Sequence, residues 1–231
     1  MEEAPCISQI AGLLADPKRT AMLWSLMDGS AKSSQDLAKL TGLTLASANA
    51  HLARLAGSGL LRTEGRRGQR LFRVAAPDVS AAIDALASTT VASAVRSAPN
   101  ALLSPLAAPS SLRRARLCHG HLGGELAAQL YERMLVAGWI ERQEHRTEVT
   151  LKGAQQLACL GIFTQALAIP LVCDCFDWSQ HYPHLGGALG AGLLQLFLQS
   201  NWIGVVSDSR AVVVHDAGQV EISRLAAIEQ P

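Results

Sequence analysis

The sequence predicts a mainly α fold with short β hairpins (α+β), divided into an N-terminal module and a duplicated C-terminal domain. Three observations lead there. Apolar residues recur at helical spacing through most of the first ninety-five positions. A glycine-flanked basic stretch, Glu64-Gly65-Arg66-Arg67-Gly68-Gln69, joins two short strand-like runs between Leu60 and Val74. The motif His-Leu-Gly-Gly occurs at His121 and again at His184.

The elements follow in order. Ile7–Leu14 is apolar-periodic, and Asp16-Pro17 then marks a capped helix start for a helix from Pro17 to about Met27. Asp28-Gly29-Ser30 stops it. Ser34–Leu40 is a further short helix, Thr41-Gly42-Leu43 a tight turn, and Thr44 the cap of a helix running to about Ala56. Leu45, Ala48, Leu52 and Leu55 form its inward stripe. After the hairpin, Val79, Ile83, Leu86, Thr90 and Val91 give a long Ala-rich helix over Asp78–Val95. Its narrow stripe suits packing between subunits. Residues 97–111 hold three prolines and four serines, so a linker is placed there, between a domain of residues 1–96 and one of residues 112–231.

In the second domain the repeat keeps an offset of 63. Gly138-Trp139-Ile140 returns as Asn201-Trp202-Ile203, Val149 as Val212 and Leu151 as Val214. Two units, about residues 112–170 and 171–231, each read as helix, strand, turn, strand. That is also the layout of residues 44–74, so both are winged-helix-like.

The chain of 231 residues is 49% hydrophobic and 17% charged, enough to bury a core and too apolar for wholesale disorder. It contains no run of 18 apolar residues, and Glu2 and Glu3 open it where a secretory leader would carry basic residues. The expectation is a cytoplasmic protein without a membrane partner. Net charge is +1, but residues 1–76 carry ten Lys/Arg against six Asp/Glu and the remainder ten against thirteen. The excess of positive charge lies in the first third, where a polyanion would dock. Six of seven histidines and four of five cysteines lie after residue 117.

Short helices followed by a basic hairpin form a winged helix-turn-helix. Thr44, Ser47, Asn49 and His51 would face base edges in a major groove, with Arg54 on a phosphate. Arg66, Arg67 and Arg70 at the wing tip would contact phosphates or the minor groove of double-stranded DNA. At these residues, SSQDLAKLTGLTLASANAHLARLAGSGLLRTEGRRGQRLFRV, the sequence resembles the core of the ArsR/SmtB bacterial repressors, over about residues 7–95. The resemblance implies a homodimer on a dyad-symmetric operator, released by a ligand. Metal sensors of that family often carry a Cys-x-Cys motif on the helix before the turn, or an Asp/His pair on the dimer helix. Here SSQDLAKL has no Cys and Asp78–Val95 has no His, so neither metal site carries over. A winged helix used only for protein contact is the alternative.

For the C-terminal domain four readings stand. Cys118, His121, Cys175 and His184 would make one four-coordinate site for zinc, cadmium or another soft metal, with a pseudo-twofold bringing the histidines together. Cys118-x-x-His121 and His181-x-x-His184 would each project from one helical turn. Each HLGG would otherwise be a structural helix start, its His capping or hydrogen-bonding and its glycines allowing close packing. Thiol redox sensing would join Cys173 or Cys175 to a partner such as Cys118. An organic ligand would sit among Trp139, Trp178, Tyr182 and Trp202, although Trp139 and Trp202 at matching positions suit a core. Cys159, in LACLGI, reads as a small core residue.

The chain has no GxSxG, GxxxxGK[ST], HExxH or strand-following GxGxxG, nor a deaminase Pro-Cys-x-x-Cys, so an enzyme is not expected. The expected function is that of a DNA-binding transcriptional regulator, a homodimeric repressor whose effector is sensed in the C-terminal domain. A soft metal leads the alternatives. A thiol-based redox-sensing repressor, or a metal- or redox-binding protein whose winged helix serves assembly only, follows.

Overall fold

The computed structural model describes residues 7–66, 69–97, 109–143 and 146–227. Its contacts divide the chain into two units. The first runs to Ile83 and also takes in Ser207–Arg210; the second holds the chain from Asp84, Ser111–Val206 and the chain from Ala211. Most of the proline- and serine-rich segment expected as a linker, residues 98–108, lies outside the described residues.

In the first unit α1 (Ile7–Leu14) leads to α2 (Pro17–Leu26), whose first turn is capped by Asp16 accepting from the backbone N–H groups of Lys18 and Arg19. β1 (Lys32–Ser33) precedes α3 (Ser34–Thr41), which begins with a reciprocal Ser33–Asp36 capping box. Gly42, at φ 66°, closes α3 in the left-handed region where glycine carries no Cβ penalty. Thr44 caps α4 (Leu45–Gly57) by accepting from the Ser47 N–H. β2 (Leu61–Arg66) and β3 (Gln69–Val74) pair antiparallel from Leu61↔Val74 to Arg66↔Gln69, and β1 adds on through Lys32↔Phe72. The short β1 carries no periodic signal and was not among the expected elements. Met22, Leu23, Leu26, Leu37, Leu52, Leu55 and Phe72 fill the core beneath this sheet.

The helix α5 (Pro77–Ser97) begins in the first unit and continues in the second. Its buried face differs from the expected one. Ile83 and Val91 are buried, but Leu86 is 57% exposed, and Ser80, Asp84 and Ser88 are buried instead. Hydropathy alone misphases this helix because a carboxylate, Asp84, is held inside by a buried guanidinium.

After α5 comes the short helix α6 (Ser110–Arg114), which lies in the second unit from Ser111 on. A first repeat follows as β4 (Arg116–Cys118), β5 (His121–Gly123), α7 (Glu125–Val136), β6 (Ile140–Gln143), β7 (Arg146–Val149) and α8 (Leu151–Cys159). After a 3-10 turn at Thr164–Ala166 comes the second: β8 (Cys173–Phe176), β9 (Pro183–Gly186), α9 (Gly187–Gln199), β10 (Ile203–Val205), β11 (Val212–Val214) and α10 (Asp216–Arg224). Each repeat is therefore hairpin, helix, hairpin, helix. The expected order of helix, strand, turn, strand is present in each copy, and an additional hairpin opens each one and a helix closes it. The two copies share one core that includes Leu126, Leu130, Tyr131, Met134, Leu189, Leu193 and Phe197.

The pairing also corrects the repeat register. Ile140 pairs with Val149 and Ile203 with Val214, so the counterpart of Val149 is Val214 rather than Val212. The second hairpin is two residues longer. Gly153 in α8 and Gly218 in α10 occupy matching places: a Cβ there would overlap the backbone carbonyl of Trp139 or Trp202 respectively. Only glycine allows that approach of helix to hairpin.

Candidate functional site

The expected DNA-reading face lies on α4. Ala48, Leu52 and Leu55 point inward, and Thr44, Ser47, Asn49 and Arg54 are exposed. Ser47 and Arg54, seven residues apart, share one face. Asn49 lies about 200° of helical turn from Ser47, across the buried stripe, so the structure does not group it with them. His51 is half-buried, with Nδ1 3.4 Å from Arg19 Nη1 and 3.9 Å from Asp16 Oδ2. In the wing, Glu64 Oε1 lies 3.3 Å from Arg62 Nε and 3.3 Å from Arg73 Nε, so the base of the hairpin carries paired charge. Arg70 is exposed nearer the tip, its guanidinium 5.2 Å from the Phe72 ring centroid. The Arg66 side chain and the whole of Arg67 lie outside the described residues.

In the second unit the two opening hairpins face each other. The first turns through His119 and Gly120, at φ 46° and 84°, a two-residue turn with both central residues left-handed. It sets Cys118 directly across from His121. In the second hairpin Cys175 stands across from His184. The histidines are 63 positions apart and the cysteines 57, so the second turn is longer by six residues. Cys118 is thus equivalent in structure to Cys175, a relation that a constant offset of 63 hides by aligning it with His181.

These four side chains converge: their ligand atoms all lie within 4.8 Å of one another. The His121 and His184 Nε2 atoms are 3.1 Å apart and the Cys118 and Cys175 Sγ atoms 3.7 Å apart. Cys118, His121 and His184 are buried. They lie on strands, which corrects the expectation that each Cys/His or His/His pair projects from a helical turn. The histidines do not cap, since α7 and α9 begin at Gly124 and Gly186 without any side-chain cap; they hydrogen-bond instead, to each other. The first glycine of each motif lies tight against its own hairpin: a Cβ on Gly123 would stand 3.0 Å from Cys118 Cβ, and one on Gly186 would stand 2.6 Å from Cys173 Sγ. The other repeat's imidazole comes next, with His184 Nε2 at 3.4 Å and His121 Cε1 at 3.3 Å.

A second small group, Asp84, Cys118 and His119, also lies within 4.8 Å. Its carboxylate is already engaged. Asp84 Oδ1 accepts from Arg116 Nε at 2.9 Å and from Trp178 Nε1 at 2.5 Å. Arg116 Nη1 is 3.0 Å from Asp177 Oδ2, and its guanidinium stacks 4.2 Å from the Trp178 ring centroid. Asp177 comes from the longer second turn. Its Oδ1 accepts from Ser179 and Gln180, and its Oδ2 accepts from the Gly124 N–H at 2.6 Å, the first turn of α7. The sequence reading missed this chain, because Asp84 and Asp177 each look like ordinary surface acids.

The electrostatics follow from burial. The hydrogen bond with Cys175, together with desolvation, pushes the Cys118 thiol up to about 12, and the same bond lowers the pKa of Cys175. Burial works to raise the Asp177 pKa, but Arg116, Ser179, His184 and the Gly124 N–H hold it below the usual carboxylate value. Burial opposes the Arg116 charge, yet Asp177 and Asp84 raise its pKa.

The remaining candidates separate. Trp139 and Trp202 pack in or against the core, and Trp178 lies on Arg116, so these rings do not line one ligand pocket. Cys159 is exposed on α8, because the buried face there is formed by Gly153 and Leu157; the core role expected for it is incorrect. Cys173 is exposed and outside the four-residue group. Among the described residues, no helix is long and apolar enough to cross a membrane.

No protein-family model matches the chain. Over 223 residues it is 30% identical to an uncharacterized HTH-type transcriptional regulator, YdfF, of Bacillus subtilis (strain 168), covering 95% of this chain and 96% of that protein. Among solved structures it is similar to the homodimeric winged helix-turn-helix DNA-binding domain of a possible ArsR-family regulator from Mycobacterium bovis. That match has 22% identity, 42% of this chain, 87% of that chain and a TM-score of 0.35. It is also similar to the transcriptional repressor BigR from Xylella fastidiosa, with 19% identity, 36% of this chain, 84% of that chain and a TM-score of 0.33.

Proposed function

The chain belongs to the HTH-type transcriptional regulators, and from that premise we propose that it is a homodimeric repressor released from its operator by a soft metal ion. The metal is bound by Cys118, His121, Cys175 and His184. The observation that carries this reading is the meeting of two thiols and two imidazoles from equivalent hairpins. Thiolate and imidazole are the ligands of zinc and related soft cations. The winged helix binds DNA through Ser47, Arg54 and neighbouring residues of α4 and through Arg66, Arg67 and Arg70 of the wing. Its place of action is the cytoplasm, where the DNA is.

The dimer reading is supported by unpartnered apolar surface. The sequence ISQIAGLL of α1 has no buried residue, and Leu86 of α5 is 57% exposed. A second copy covering such faces would also place two recognition helices on a dyad-symmetric operator. Metal release is then a population shift: one dimer geometry fits the operator and the metal favours another. A coupling of about 1–3 kcal/mol changes affinity about 5–150-fold.

One observation favours a second reading. The Cys118 and Cys175 Sγ atoms are 3.7 Å apart and hydrogen bonded. Hydrogen peroxide would take two electrons and two protons from these thiols, leaving one disulfide and two waters.

Fluorescence anisotropy on the DNA upstream of the protein's own gene separates these, at about 150 mM salt so that non-specific binding is suppressed. Zinc should release the bound DNA, and Cys118→Ser should abolish release. Release by peroxide alone would move the effector to the thiols. No specific DNA binding would leave the winged helix as an assembly module.

A further inference from the structure

Resting on the metal-responsive reading above, we infer that the Cys118, His121, Cys175 and His184 centre is a closed tetrahedral site of zinc size whose positioning carboxylate is Asp177, and that Asp177 reports metal occupancy through Arg116 to Asp84 on α5.

The size comes first. Zinc bonds of about 2.3 Å to sulfur and 2.0–2.1 Å to nitrogen, arranged tetrahedrally, put two sulfurs about 3.8 Å apart and two nitrogens about 3.3 Å apart. The Sγ atoms here are 3.7 Å apart and the Nε2 atoms 3.1 Å apart. The protein already holds both edges of that tetrahedron. A linear bis-thiolate site, which copper(I) or mercury(II) prefers, would need the sulfurs on opposite sides of the ion. Four protein ligands leave no open position, which marks a structural or sensing site rather than a catalytic one.

The orienting group follows. A metal on His184 Nε2 fixes the remaining ring proton on Nδ1, and ligating histidines normally donate that proton to a carboxylate or carbonyl. His184 Nδ1 is buried and has no hydrogen-bond partner. Asp177 Oδ2 lies 3.8 Å away, with both side chains fully buried. A hydrogen bond needs about 2.7–3.2 Å. Metal binding therefore draws His184 and Asp177 together by more than half an ångström.

That movement cannot stay local. Asp177 Oδ2 also holds Arg116 Nη1 at 3.0 Å and the Gly124 N–H at 2.6 Å. Arg116 in turn holds Asp84 at 2.9 Å, with Trp178 donating to the same oxygen. Every member from Asp84 to His184 is at most 1% exposed, so the chain is shielded from bulk solvent. Arg116 Nη2 is buried without a hydrogen-bond partner, which leaves the guanidinium room to exchange contacts. The chain ends on α5, the helix whose exposed Leu86 was assigned above to the subunit interface.

The test uses the full-length protein and zinc or cobalt(II). The wild type should bind cobalt with the intense visible bands of a tetrahedral thiolate site, and zinc should change the hydrogen exchange of α5 amides around Asp84. Asp177→Asn should weaken zinc binding by about 10–100-fold, as loss of an orienting partner does. Asp84→Asn should lose most of the zinc-dependent DNA release, the loss falling on release rather than on zinc affinity. If the wild type binds zinc and releases DNA while Asp84→Asn releases equally well and α5 exchange is unchanged by zinc, the inference is overturned and the metal reading stands. If the wild type takes up no zinc, both fall. The exchange measurement needs no variant, so it decides the question even where a substitution unfolds the protein.

Discussion

His121 Nε2 and His184 Nε2, 63 residues apart in sequence, face each other at 3.1 Å in the buried interior. The two imidazoles come from equivalent strands of two repeats, and each rests against the other repeat's first motif glycine. A structural histidine pair would need only that hydrogen bond. The two thiols beside it complete the ligand set on which the proposed metal site rests.

Cys118→Ser and His184→Ala are expected to lower zinc affinity by more than the 10–100-fold typical of outer-shell changes. Zinc binding at pH 7 should release protons, because both ligating thiols must be thiolates and Cys118 is held protonated, its pKa pushed up to about 12. Calorimetry in buffers of different ionisation enthalpy counts those protons. Zinc uptake without proton release would place the ion elsewhere.

In the wing, Arg66→Ala, Arg67→Ala and Arg70→Ala should each weaken operator and random DNA alike. Each should make the logarithmic salt slope shallower by about one. Ser47→Ala and Arg54→Ala should cost more than Asn49→Ala, since Asn49 lies across the α4 stripe from them. Equal losses on all three would mean that α4 enters the groove at a different angle. Binding competitions over a salt series measure both effects.

Leu86→Lys places a charge on the exposed face of α5 without touching its buried side. Analytical ultracentrifugation should show dissociation to monomers, with operator affinity falling accordingly. A dimer unchanged by Leu86→Lys would place the subunit interface elsewhere.

The capping box at the start of α3 gives a pH signature. Hydrogen bonds from Ser33 hold the Asp36 carboxyl below its ordinary value of 3.8. A lowered folded pKa stabilises above the ordinary value, and that contribution is lost as pH falls through the lower folded one. Ser33→Ala should return the Asp36 titration toward 3.8 and lower Tm by about 2–4 °C at neutral pH. NMR titration and thermal melts read these two effects.

Much of the first unit is legible in the sequence, because its signals are local. Asp16-Pro17, Ser33 with Asp36, Gly42 and Thr44 each set a helix boundary through contacts within four residues. The metal candidate was legible only through the repeat, which paired His121 with His184. Its hairpins were not, since their strands are three or four residues long and His119-Gly120 is a turn hidden inside a run of candidate ligands. Least legible was the chain from Asp84 to Asp177. It depends on Arg116 meeting residues 32 positions before it and 61 after it, and no periodicity marks a buried carboxylate.

The central claim is that metal at these four residues governs DNA occupancy. It is tested most directly by one anisotropy experiment on the operator complex, taken through a zinc titration and then an excess of chelator. The account predicts release complete at one zinc per chain, about 5–150-fold in affinity, and full recovery on chelation. Operator binding that is equally tight with zinc bound and with zinc removed would contradict it.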